Sequence, residues 1–145
     1  MELIEHIARA WSWTGIKPEK VVGENDFGNL IVRDRQGQYW RICPEDLYCK
    51  PIAEDRAALD ALIKDEEFQE DWAMVALVEE ARGRLGPLGP GRKYCLKIPG
   101  LLGGEYGGSN LASIPLLELI AVSGDIAFQI KDLPDGAQVR FQITE

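Results

Sequence analysis

The 145-residue chain is 46% hydrophobic and 28% charged, the balance of one ordinary globular domain that buries about two thirds of the surface its unfolded chain exposes. No apolar run reaches the ~20 residues needed to cross a membrane, and Glu2 and Glu5 stand where a secretory leader would be basic, so a cytoplasmic protein is expected. The net charge of −8 lies in one segment: residues 54–80 hold ten acidic and two basic residues, while the other 14 acids and 14 bases cancel, which argues against nucleic acid as a ligand and for a basic partner.

In chain order, Leu3, Ile4, Ile7, Ala8 and Trp11 recur at helical intervals, and Gly15 with Pro18 closes this first helix. Extended runs follow, in which Leu30 and Val32, and after the Arg35-Gln36-Gly37 turn Tyr39, Arg41 and Cys43, alternate with their neighbours as a hairpin does. Asn25, Asp26, Gly28 and Asn29 form the turn that enters it. Residues 48–53 read as a further strand that Pro51 confines to a sheet edge.

Asp55 is placed to cap a helix to about Ile63, and Asp65 a second helix from Glu66 to about Arg82, with Phe68, Trp72, Val75 and Val78 on one face. The Gly/Pro-rich stretch 83–92 is the one internal hinge the composition offers, although its length is that of a loop. Residues 93–99 read as a strand, Ile114 to Val122 as a buried helix with Pro115 in its first turn, and Gly124-Asp125 as the start of a short helix to about Leu133. A final strand is expected from Gln138 to Ile143. The order of elements predicts a single α+β domain over residues 1–145, with a mostly antiparallel sheet and helices packed on one side.

The chemistry-bearing residues exclude most catalytic classes. Cys43, Cys49 and Cys95 form no CxxC pair and read as free buried thiols. His6 is the single histidine; no Cys/His metal site can be assembled around it, and a Ser or Cys nucleophile lacks a base. The glycine-rich stretch 99–110 invites comparison with a phosphate-binding loop, but Ser109 stands where a P-loop needs lysine and Glu105 opposes an anion. The carboxylate pairs Glu66/Glu70 and Glu79/Glu80 sit on helix faces without a glycosidase or metal-ligand setting. Trp11, Trp13, Trp40 and Trp72 have too few basic neighbours for base stacking and read as core or interface. No catalytic residue, metal or cofactor is therefore expected, a hydrolase using Asp125 or Glu105 being the weakest alternative.

Residues 93–120 carry a recognisable order: Tyr94 on a strand, Pro99, Leu102 followed by Gly103 and Gly104, then the apolar run from Ile114 to Ile120. This resembles the C-terminal domain family of immunity proteins that neutralise type VI secretion DNase effectors. Residues 39–47, YWRICPEDL, are similar to the tryptophan-and-PEDL segment of the same chains, so that the resemblance spans about residues 22–122. Gly100 departs from it, standing where the family tends to carry alanine. The resemblance implies a non-enzymatic bacterial protein whose partner is a cognate effector toxin of nuclease type. Glu66, Glu67, Glu70 and Asp71 are then the expected contact surface, imitating nucleic-acid charge toward a basic toxin.

Gly103 and Gly104 are expected to supply positive φ or close backbone packing, and Gly107 and Gly108 to relieve a tight loop that carries Glu105 and Tyr106. Glu105 and Tyr106, presented on that loop, are further expected partner contacts, Tyr106 being either an anchor for the partner or a side chain folded back on its own domain. The competing reading is a stand-alone small-molecule-binding or regulatory domain, with the glycine loop and the Tyr94 strand as a pocket wall.

Overall fold

The computed structural model describes residues 2–134; the strand expected from Gln138 to Ile143 lies outside them. Helix α1 (Glu2–Trp11) leads into strands β1 (Pro18–Glu24), β2 (Leu30–Asp34), β3 (Tyr39–Cys43) and β4 (Tyr48–Ala53), which form an antiparallel sheet in sequential order. Next come α2 (Arg56–Ile63), α3 (Glu66–Ala73) and α4 (Val75–Leu85), the antiparallel ribbon of β5 (Arg92–Leu96) and β6 (Leu111–Pro115), and α5 (Leu116–Ile130). The α+β class and the antiparallel sheet agree with expectation.

The helices divide between the two faces of the sheet, where one covered side was expected. Side chains on a strand alternate between faces, and the sheet is apolar on both. Leu30, Val32, Trp40 and Ile42 pack on Ile7 and Trp11 of α1 and on Ile120 and Ala127 of α5. Ile31, Tyr39 and Ala53 pack on Leu59 of α2 and on Phe68 and Trp72 of α3. All five residues of β3 are buried, which strict alternation with solvent does not allow. A third cluster joins Phe27, Tyr94, Leu96 and Leu111 to Ala81 of α4.

Three expectations about helices need correction. The helix from Glu66 to Arg82 is broken at Met74, which adopts φ 49° and ψ 40°. Its two halves serve different cores, α3 the sheet and α4 the β5–β6 ribbon, and a straight helix cannot meet both. Asn25 holds the break, donating from Nδ2 to the Trp72 carbonyl at 2.9 Å. Residues 111–115 form strand β6, so the helix starts after Pro115 and not at Ile114; the residue before a proline disfavours helical geometry. Gly124 does not interrupt α5, because it is where α5 crosses α1. A Cβ there would lie 2.6 Å from the Ala10 carbonyl oxygen.

A cleft between the acidic helices and the glycine loop

The acidic segment serves two purposes. Asp55 and Asp65 cap α2 and α3, accepting from the amides of Ala58 at 2.8 Å and Phe68 at 3.0 Å. Asp60 pairs with Arg56 at 2.9 Å, and Asp71 with Arg41 at 2.5 Å. Glu80 accepts the Gly108 N–H at 2.6 Å. Glu66, Glu67 and Glu70 project from α3 with no ion pair among the described residues, leaving an uncompensated negative edge.

That edge borders a cleft of about 280 Å³, walled by Glu70, Asp71 and Met74 on one side and by Asp46, Tyr48 and Tyr106 on the other. Its floor is a chain of polar groups threaded through the sheet. The buried Glu45 carboxylate accepts from Asn29 Nδ2 at 2.9 Å and from the Cys43 thiol at 3.1 Å. Asn29 Oδ1 in turn accepts from Arg41 Nε at 3.0 Å, and Arg41 Nη1 reaches Asp71. The Arg41 guanidinium lies 5.2 Å from the centroid of the Trp72 ring and 5.9 Å from that of Phe68. Arg41 sits between the apolar Trp40 and Ile42 on a strand buried on both faces, and α3 supplies both its counter-charge and its aromatic lid.

Burial governs the protonation states here. It raises Glu45 above the usual carboxylate range, with the Asn29 and Cys43 hydrogen bonds opposing the shift. Burial, reinforced by the Glu45 charge, pushes the Cys43 thiol far up, so the sulfur carries its proton and is not a nucleophile. For Arg41 burial works against the cation, and the hydrogen bond to Asp71 together with the electrostatic pull of Tyr48, Cys43 and Asp71 outweighs it. Burial, with the hydrogen bond to Asp46, also raises Tyr106.

Glu70, Asp71 and Tyr106 meet at this cleft, which the sequence alone did not join. Glu66 and Glu67 stand in the first turn of α3, on the same exposed edge. Glu105 is exposed, but its carboxylate lies beside Gly108, outside the cleft walls. Tyr106 folds back far enough for its hydroxyl to donate to Asp46 Oδ1, and it keeps about half of its surface in solvent. Its ring covers Gly100, where a Cβ would collide with it, and this accounts for glycine at a position where alanine is usual in the resembled chains.

Gly104 packs so closely on the Ile98 carbonyl that no side chain fits, with Asn110 Nδ2 bonding the same carbonyl at 2.9 Å. Gly103, as expected, takes positive φ, and so do Gly107 and Gly108. The glycine loop does hold an anion, but the anion is the protein's own Glu80. Among the described residues the loop and β5 do not frame a pocket of ligand size. Tyr94 is buried with its hydroxyl donating to the Gly86 carbonyl at 2.6 Å, and the cavity against Cys95, Leu96 and Pro99 is about 50 Å³, far below the ~300 Å³ of a small-molecule site.

Sequence reasoning missed Asn29, Glu45, Asp46 and the buried role of Arg41. The available signal was a basic residue at an inward position of an apolar strand, with two acids, Glu45 and Asp46, four and five positions on. Among the described residues no helix is long and apolar enough to cross a membrane.

A family model described as T6SS immunity protein Tdi1, C-terminal, matches residues 53–127, just over half of the chain. The match begins at the end of β4 and takes in the acidic helices, the glycine loop and most of α5. No curated protein matches the sequence.

Proposed function

The chain belongs to the family of the T6SS immunity protein Tdi1 C-terminal domain, and from that premise we propose that it is a non-enzymatic protein that binds and neutralises a cognate type VI secretion effector through the cleft between α3 and the glycine loop. The observation that carries this reading is the convergence of Glu70, Asp71 and the half-exposed Tyr106 on one concave surface beside Glu66 and Glu67, which have no ion pair among the described residues.

A nuclease effector is basic where it meets DNA. An acidic edge on the immunity protein steers it to that surface and excludes the nucleic acid by occupying its place. Tyr106 suits the role of anchor, being large, held by Asp46 and stiff, so that little entropy is lost when a partner covers it. Cys43, Glu45, Asp46 and Asp71 at the cleft are each engaged in internal hydrogen bonds, while Glu70 is left open to a partner, an arrangement that supports binding. Binding takes place in the cytoplasm of the cell that makes both proteins.

The test is co-expression of the effector with variants of the chain. Wild type should protect the cell, and the triple variant Glu66→Lys, Glu67→Lys, Glu70→Lys combined with Tyr106→Ala should fold but fail to protect. Full protection by that variant would move the binding site elsewhere.

A further inference from the structure

Residues 100–108 carry five glycines, and glycine has the widest backbone freedom of any residue, yet Tyr106 in their midst takes one defined position at the cleft. Two side chains outside this run fix it. Asn110, the residue before β6, fills the neck of the loop: its Oδ1 accepts the Ile98 N–H at 2.8 Å, and its Nδ2 donates to the Ile98 carbonyl at 2.9 Å and to the Glu105 carbonyl at 2.7 Å. Glu80 reaches over from α4, where its carboxylate accepts the Gly108 N–H at 2.6 Å. The Glu105 carbonyl precedes Tyr106 and the Gly108 N–H follows Gly107, so only these two residues lie between the held peptide groups. The Tyr106 hydroxyl, donating to Asp46, is the third point.

We infer that Asn110 and Glu80 are the positioning residues for Tyr106, holding its ring at the cleft before a partner arrives, an inference that rests on Tyr106 being the effector's anchor as proposed. The bond to Asp46 is a single contact at a half-exposed side chain. Without the two backbone pins, the glycines on either side leave that side chain many competing arrangements. A ring already in place when it is covered loses less freedom on binding than one gathered from a loose loop. Neither Asn110 nor Glu80 lines the cleft, so each acts through the loop.

The two pins differ in chemistry, which makes them separable. Asn110→Asp keeps the size of the side chain and its Oδ1 but puts an oxygen where Nδ2 donates, so the bonds to the Ile98 and Glu105 carbonyls become contacts between like oxygens. Glu80→Ala removes the acceptor for the Gly108 N–H, whereas Glu80→Gln loses the same charge and keeps an oxygen to accept it. All of these changes leave the acidic edge of α3 intact. Loss of positioning therefore appears in dissociation and leaves association near wild type.

Nuclear magnetic resonance of the full chain without effector reads the position of the ring directly. The Tyr106 ring covers Gly100, so an Overhauser contact between the ring and the Gly100 α protons should be present in wild type and in Glu80→Gln. It should be lost in Asn110→Asp and in Glu80→Ala, with the signals of β2 and β3 unmoved. Because the pins come from different elements, Glu80→Ala alone decides the matter if Asn110→Asp loses the fold. With the purified effector, Asn110→Asp and Glu80→Ala should each dissociate roughly 3- to 10-fold faster, the effect of having to order one side chain, and neither should add to the effect of Tyr106→Ala. A contact absent from wild type, or persisting in both variants, overturns the inference. So does a dissociation rate that both variants leave unchanged while Tyr106→Ala raises it. If Tyr106→Ala itself dissociates like wild type, the anchoring role fails, and positioning for it fails too.

Discussion

Replacing Arg41 with methionine separates what holds α3 to the sheet from what merely decorates it. Methionine keeps the apolar stem and removes the guanidinium. Asn29, fully buried, then loses the donor to its Oδ1, a loss of roughly 1–3 kcal/mol. The contacts with Trp72 and Phe68 contribute about 1–2 kcal/mol more at a desolvated site. The bond to Asp71 adds little, because the Asp71 side chain is 68% exposed while that of Arg41 is 6% exposed, and a pair open to water on one side is worth at most ~1 kcal/mol. Relief from desolvating the cation offsets part of the total.

The net expectation is a loss of about 2–4 kcal/mol for Arg41→Met and under ~1 kcal/mol for Asp71→Asn. In thermal unfolding of a chain this long, ~3 °C per kcal/mol places the first variant roughly 6–12 °C below wild type and the second within about 3 °C. Equal losses for the two variants would refute the reasoning, because the pair would then be behaving as a closed ion pair. So would an Arg41→Met variant as stable as wild type.

Further outcomes follow from the same geometry. Gly100→Ala should push the Tyr106 ring off its seat and break its bond to Asp46; effector affinity should fall by about the tenfold that ~1.4 kcal/mol represents, and an unchanged affinity by calorimetry would contradict the anchoring role. Glu45, raised by burial, binds its proton more tightly when folded, so its contribution is complete below the unfolded value of ~4.3 and declines as pH rises through the folded value. Glu45→Gln should flatten that slope in urea unfolding from pH 4 upward, and identical pH profiles would remove Glu45 as its source. Burial raises Cys95 and carries Cys49 up to about 12, so with Cys43 also raised a thiol reagent at mildly alkaline pH should react slowly with all three until the chain is unfolded; rapid labelling of the native protein would contradict the burial described.

Much of the fold was legible because its signals were local. Helix α1, the β2–β3 hairpin and the caps at Asp55 and Asp65 each depend on residues within a few positions of one another, and Pro51 does fall on β4, the edge strand of the sheet. What escaped depends on distant chain. No glycine or proline marks the break at Met74; it exists because Asn25, 47 residues before Trp72, takes the Trp72 carbonyl. Gly124 looks like a helix stop until Ala10 is seen against it. The site divides in the same way. Its charge was plain in composition, but the Tyr106 hydroxyl finds Asp46 60 positions away, and Asp71 finds Arg41 30 positions away, so Glu70, Asp71 and Tyr106 were legible without the partners that join them into a cleft. Glu105 shows the reverse case, an acid expected as a contact from its place beside Tyr106, whose carboxylate the loop turns toward Gly108.

Capture of a basic effector by the acidic surface, as proposed, is read most directly from association rates. The most direct measurement is stopped-flow association with the purified effector as ionic strength rises, for wild type and for the Glu66→Lys, Glu67→Lys, Glu70→Lys variant, whose changed side chains form no ion pair among the described residues. Steered encounters proceed at ~10⁸ M⁻¹s⁻¹ at low salt and fall toward ~10⁵–10⁶ as the charges are screened. Wild type should follow that curve and the variant should begin near its lower end. A wild-type rate that salt leaves unchanged, matched by the variant, would contradict the account.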